Sequence, residues 1–263
     1  MKVPIVIFKE MSLEENIDII KWAISENNDS LDVYKYTIDY FPELAVLNKN
    51  DSEKIIHNKI KEVVTKDYNT YYEKIKNEVK RYNEIWRKYN DNYFKALSSY
   101  LNITWPKDHM KVYASVGLIP VFPRYLNEFR FAISTNLKEE KIIETTAHET
   151  CHFLWFQKWH ELYPSCPKRH YDSPYLPWRY SEMVVDPILN ASSISNIFNN
   201  KFIEKAYDSF YNLKYDNKYV MDSLKEIYKE NISIEDKIKK GYKYVRKAYK
   251  KQVILDEQWK RRK

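Results

Sequence analysis

The sequence predicts an α+β protein with a helical majority: a small sheet packed on one long helix, with flanking N- and C-terminal helices. Three observations carry this. Long stretches free of glycine and proline repeat their apolar residues every three or four positions. Strand-like patterns are concentrated in one passage after Ile103, and 263 residues at 44% hydrophobic and 16% aromatic suffice for a substantial core. We expect a single unit over residues 1–263, made of an N-terminal helical region (1–102), a central region of sheet and helices (103–190) and a C-terminal helical region (191–263).

Ser12 and Glu15 have the form of a capping box, and Leu13, Ile17, Ile20 and Ile24 continue at helical spacing until Asn27, Asn28 and Asp29. The apolar run before them, Val3 to Phe8, is shorter than the core of a secretory signal. From Leu31 to Leu47 a dense apolar stretch interrupted by Pro42 predicts a short helix or an extended piece. Between Ser52 and Leu101 the series Tyr68, Tyr72, Ile75, Val79, Tyr82, Trp86, Tyr89 and Tyr93 predicts one or two long amphipathic helices, which we expect to form an intramolecular hairpin.

After Ile103, three strands are expected at Lys111–Val116, Ile119–Phe122 and Phe129–Ser134. Strand order alone suggests that the last is an edge, open to an extended peptide. A helix should start near Asn136 and Glu139 and run to about Tyr163, covering the sheet. Four prolines between Pro164 and Pro177 then force a structured loop. The next helix spans about Pro177 to Asn190, with Pro187 expected to kink or end it. Residues 199–258 read as two or three further helices.

Composition excludes several classes of function. Two glycines, Gly117 and Gly241, rule out glycine-rich phosphate loops, and two cysteines, Cys151 and Cys166, rule out a disulfide framework or a four-cysteine metal site. No stretch is long and apolar enough to span a bilayer, so a soluble, cytoplasmic protein is expected. The balance of 44 Lys and Arg against 37 Asp and Glu permits an anionic partner without requiring one. Lys237, Lys239, Lys240, Lys243, Arg246, Lys247, Lys250 and Lys251, interleaved with Tyr242, Tyr244 and Tyr249 and extended by Lys260 to Lys263, keep open an alternative: a nonenzymatic module with a structural metal that binds nucleic acid or protein through basic C-terminal helices.

One string carries chemistry: His148-Glu149-Thr150-Cys151-His152, inside the helix that follows the sheet. On a helix, residues four apart lie about 40° apart around the axis and one turn apart along it, so both imidazoles can reach one metal ion. Glu149 is placed to lean over that ion without ligating it, where a carboxylate can take a proton from water. Catalytic zinc sites normally have a third protein ligand. Thirty residues after His152, Glu182 and Asp186 share one face of the next helix, so that one can ligate while the other supports a histidine.

These residues resemble the gluzincin zinc metallopeptidases, in which a two-histidine helix is followed by a glutamate helix of the form Glu-x-x-x-Asp. The resemblance covers roughly Lys111 to Asn190. It implies Zn2+ held by His148, His152 and Glu182, Glu149 as general base and acid, and Asp186 as hydrogen-bond partner of a ligand histidine. The implied reaction is hydrolysis of a peptide bond in a peptide or protein substrate by a metal-activated water. No motif fixes which of His170, Tyr171, Tyr175 or Tyr180 would stabilise the oxyanion.

Overall fold

The apolar run that opens the chain is a strand. In the computed structural model, which describes residues 2–25, 33–47 and 51–250, β1 (Ile5–Glu10), β2 (Lys111–Gly117), β3 (Arg124–Tyr125) and β4 (Arg130–Ser134) form one sheet in the order β1-β2-β4-β3. β1 runs parallel to β2, with Val6 opposite Val112 and Phe8 opposite Ala114, and β2 runs parallel to β4. β3 is antiparallel to β4. The fold is the expected helix-rich α+β class, with ten α-helices among the described residues.

Two strand expectations need correction. The passage Ile119–Phe122, which contains Pro120 and is followed by Pro123, is not a strand; proline cannot donate to a ladder, and pairing resumes only at Arg124. β4 lies between β2 and β3, so it is not the edge expected for peptide pairing. The two edges are β1 and the two-residue β3.

The outward side of β1 is satisfied by side chains. Asn83 Oδ1 accepts from the Phe8 amide at 3.1 Å and its Nδ2 donates to the Phe8 carbonyl at 2.9 Å. Asn90 Oδ1 accepts from the Val6 amide at 3.2 Å, and its Nδ2 donates to the Pro4 carbonyl at 2.9 Å. Two asparagine amides thus stand in for a neighbouring strand and close the edge.

α1 (Leu13–Ser25) begins as its cap predicts, with Ser12 Oγ accepting from the Glu15 amide at 3.1 Å. Glu15 is paired with Arg130. The expected terminators Asn27 to Asp29 lie outside the described residues, as does Leu31; α2 (Val33–Tyr40) and a 3-10 turn at Pro42–Val46 follow. α3 (Glu53–Arg87) and α4 (Asn90–Tyr100) account for the long tyrosine series. Rather than folding into a hairpin, α3 packs on α1, β1 and β2, because the sheet offers a larger apolar face. Phe8 meets Tyr82 edge to face at 5.6 Å and Phe131 at 6.4 Å.

α5 (Glu139–Leu162) follows β4. Two compact units are formed, Met1–Phe94 with Trp105–Glu149, and Lys95–Thr104 with Thr150–Lys263. These boundaries differ from the expected divisions at 103 and 190, and one of them falls inside the continuous helix α5.

The second unit contains α6 (Leu176–Leu189), α7 (Ser192–Ser195), α8 (Asp208–Tyr211), a hairpin of β5 (Lys214–Tyr215) and β6 (Lys218–Tyr219), α9 (Val220–Lys229) and α10 (Ile234–Ala248). The hairpin departs from the all-helical expectation. Asp216 and Asn217, both left-handed with φ of 52° and 58°, make the kind of turn that suits the twist of a two-stranded ribbon. Pro187 neither ends nor breaks α6, which continues to Leu189.

Gly117 ends β2 where a Cβ would meet the Met11 sulfur and approach Asn16 Oδ1 at 2.7 Å. Asn16 is fully buried and accepts from the Leu118 amide at 2.8 Å, so it cannot yield without losing that bond. Gly117→Ala is expected to destabilise the protein by about 1–3 kcal/mol, the range for overpacking. A chemical-denaturation midpoint equal to wild type would show that Met11 and Asn16 relax freely.

Candidate metal centre

The entry into α5 is fastened by α3. Tyr82 OH donates to the Ser134 carbonyl at 2.9 Å and accepts from the Leu137 amide at 3.0 Å; Arg81 donates to the Leu137 carbonyl at 2.6 Å. Glu78 accepts from the amide of Asn136, whose φ of 62° suits asparagine. Immediately before the first histidine, the Ala147 carbonyl accepts from Tyr93 OH at 2.6 Å. Part of the tyrosine pattern therefore sets the position of the helix that carries the histidines.

On that helix His148 is partly exposed and His152 buried. Glu182, on α6, is 2% exposed, and donor atoms of His148, His152 and Glu182 all lie within 4.8 Å of one another. This group can hold a metal ion. His152 Nε2 is 3.4 Å from Glu182 Oε1. Two ligands each about 2.1 Å from a tetrahedral ion lie ~3.4 Å apart, so the pair has the spacing of two metal ligands as it stands. The position of α6 follows from Tyr180, fully buried, whose OH donates to the Ile238 carbonyl at 3.0 Å and meets Tyr228 OH at 3.1 Å.

Glu149 is 6% exposed, and its Oε2 accepts from Arg124 Nη1 at 3.0 Å. Sequence reasoning missed Arg124: a single arginine after Pro123 carries no periodic or motif signal. Asp186 requires a correction. Its carboxylate accepts from Asn190 at 2.9 Å, from Tyr211 OH and from Lys225 at 2.9 Å, and none of these is a ligand histidine. One turn beyond Glu182, it is drawn into a polar cluster of the second unit, where burial and the neighbouring carboxylate raise the Tyr211 pKa.

Of the oxyanion candidates, Tyr180 is committed to Tyr228 and Ile238, and Tyr171 OH lies 3.3 Å from His160 Nδ1. His170 stacks on Tyr175 at 4.2 Å. Cys151 is fully buried on α5. On α10, Tyr242 packs on Trp159 at 4.7 Å and Tyr180 at 5.6 Å, and Tyr244 OH donates to Ser223 Oγ at 3.0 Å. These rings are occupied with packing inside their own unit. Lys251 and Lys260 to Lys263 lie outside the described residues.

Lys158 joins α5 to α10: 4% exposed, it donates to Glu235 at 2.8 Å and Glu161 at 3.0 Å. The Lys158 hydrogen bond pulls the Glu235 pKa from the ordinary 4.5 down to about 2. A carboxylate lowered on folding stabilises the native state above its unfolded pKa and loses that contribution as pH falls through the folded value. Wild type should therefore exceed Glu235→Gln by roughly 1–2 kcal/mol at neutral pH, after allowance for partial solvent screening, with the gap closing between pH 4.5 and 2. Denaturation midpoints at several pH values check this; a gap independent of pH would assign the effect to packing.

No protein-family model matches the chain, and comparisons with curated proteins and with solved structures give no significant match. Among the described residues, no helix is long and apolar enough to cross a membrane.

Proposed function

We propose that this chain is a zinc-dependent peptidase of gluzincin type. The carrying observation is the convergence of His148, His152 and Glu182 donor atoms within 4.8 Å, with Glu149 one residue beyond the first histidine. Two imidazoles and one carboxylate are a donor set that suits zinc and leaves a fourth position for water or substrate. A zinc ion there supplies the Lewis acidity that activates water and polarises a carbonyl. Glu149 takes the proton of the attacking water and delivers it to the departing amine. The partial exposure of His148 leaves the group open to solvent on one side.

Elemental analysis tests the ligand set. Wild-type protein freed of loosely bound metal should retain about one zinc per chain, and Glu182→Ala should lose it or hold it at least tenfold more weakly, as expected for removal of one of three ligands. Wild-type protein that neither contains nor takes up zinc would sink the reading.

A further inference from the structure

We infer that α10 is a docking face for the phosphate backbone of a double helix, a function that does not depend on the peptidase reading. From Lys237 to Lys250 the chain carries seven Lys and Arg and no Asp or Glu. Two of the seven are used within the fold: Lys237 donates to the Tyr228 carbonyl at 2.8 Å, and Lys240 is held by Glu230. The other five, Lys239, Lys243, Arg246, Lys247 and Lys250, are all exposed, and among the described residues none of them pairs with a carboxylate. At 100° per residue the four inside α10 lie within about 100° of its circumference and over about 12 Å of its axis. Lys250 follows three residues on, and the Arg179 guanidinium, 5.7 Å from the Tyr249 ring centroid, adds a positive charge at that end. On α3, by contrast, Lys59 pairs with Glu62, Lys76 with Glu73 and Arg81 with Glu78. A row of like charges with nothing to offset it repels itself, and an anionic partner relieves that repulsion.

The rest of the helix decides which anion fits. Ile234, Ile238, Gly241 and Val245 are buried where α10 packs on α9 and α6, and a Cβ at Gly241 would run into Tyr180 OH. A basic amphipathic helix binds a bilayer by sinking its apolar face into it, and here that face is already committed. The rings between the cations are committed too: Tyr242 to Trp159 and Tyr180, Tyr244 to Ser223, and Tyr249 to Arg179. Unpaired bases bind by stacking on aromatic side chains, and this helix offers them no platform. An acidic peptide would have to be ordered along the row, at a cost in chain entropy that a stiff duplex does not incur. Duplex nucleic acid presents a dense line of negative charge, about one per 1.7 Å of axis, to a row of cations fixed on a packed helix. Contacts of this kind go to phosphate and carry no sequence preference.

Fluorescence anisotropy of labelled DNA and RNA duplexes, titrated with the full chain, tests this without any need for zinc, so failure of the peptidase reading leaves the result standing. Wild type should bind with micromolar affinity at about 50 mM salt and lose about 100- to 1,000-fold by about 200 mM, the dependence for four or five phosphate contacts. A variant carrying Lys239→Gln, Lys243→Gln, Arg246→Gln, Lys247→Gln and Lys250→Gln should bind at least about 100-fold more weakly at the lower salt, with a flatter salt dependence. Glutamine keeps the helix propensity of lysine, and a melting curve checks the fold; should this variant unfold, Lys243→Gln with Lys247→Gln should still cost about 10- to 100-fold. Replacing Lys54, Lys61, Lys66, Lys74 and Lys80, exposed on α3, by glutamine removes the same charge from the formal +7 and should cost less than about fivefold. A preference between the two duplexes names the nucleic acid, and equal binding assigns the shared backbone. Absence of binding at the lower salt, an equal loss in the α3 and α10 variants, or a loss that instead follows neutralisation of Lys260, Arg261, Arg262 and Lys263 overturns the inference. So does tighter binding by wild type of a single strand of equal charge, of polyglutamate or of vesicles containing phosphatidylserine, each of which would assign the row to that partner.

Discussion

On the proposed peptidase reading, Glu149→Gln should abolish peptide hydrolysis while leaving zinc in place: kcat is expected to fall by about 100- to 10,000-fold, the usual contribution of a positioned acid–base group. The expectation is sharp because the two roles are separable on α5. Glu149 is not one of the three residues whose donor atoms converge, so the metal should be retained. Glutamine keeps the shape of the side chain and an oxygen able to accept from Arg124 Nη1, now 3.0 Å away, but it cannot accept the proton of an attacking water. The variant should melt close to wild type. Zinc analysis, a melting curve and single-turnover cleavage on the same preparation make the test, and retention of more than a tenth of the wild-type rate would exclude Glu149 as the general base.

Trp159→Ala should cause the largest loss of stability among the changes considered, about 3–5 kcal/mol. Trp159 is 1% exposed and lies against four aromatic rings: Trp155 at 5.2 Å, Tyr163 at 4.3 Å, Tyr242 at 4.7 Å and Tyr180 at 6.2 Å. Removing the indole leaves a cavity that rigid rings fill poorly, and it takes away ring contacts worth more than their buried area. The damage reaches the metal centre through Tyr180, which holds α6 to α9 and α10 two residues before Glu182. Urea denaturation with and without saturating zinc should show a midpoint lowered in both conditions, while a loss below about 1 kcal/mol would mean that the surrounding rings close over the gap.

The features most legible in the sequence are those written in local periodicity. His148 and His152 share a helix face by spacing alone, α1 begins at its cap, and the tyrosine series gives α3 and α4. Glu182, on another helix, lies close to both histidines in space. What failed depends on partners distant in the chain. Val3 to Phe8 has no alternation to mark it as a strand, because β1 is parallel and its apolar residues are defined by β2 and by Asn83 and Asn90. β3 is two residues long, below any periodic signal, and its Arg124 acquires meaning only when folding brings Glu149 to it. Asp186 had the right spacing from Glu182, but Tyr211 and Lys225 claim its carboxylate. The Asp216-Asn217 turn, by contrast, carries a local signal, two residues that tolerate left-handed backbone set between two Lys-Tyr pairs.

The two asparagines that close the edge of β1 also set a schedule for synthesis. β1 precedes its partner β2 by about a hundred residues, an interval of roughly 5–20 s at ordinary rates of translation. A strand waiting that long with bare amides is a target for stray pairing. Asn83 and Asn90 emerge before β2, so α3, with the first residue of α4, can receive β1 and satisfy its outward side first. Until the second half of the ladder arrives, only the side of β1 that will face β2 is then left to be paired.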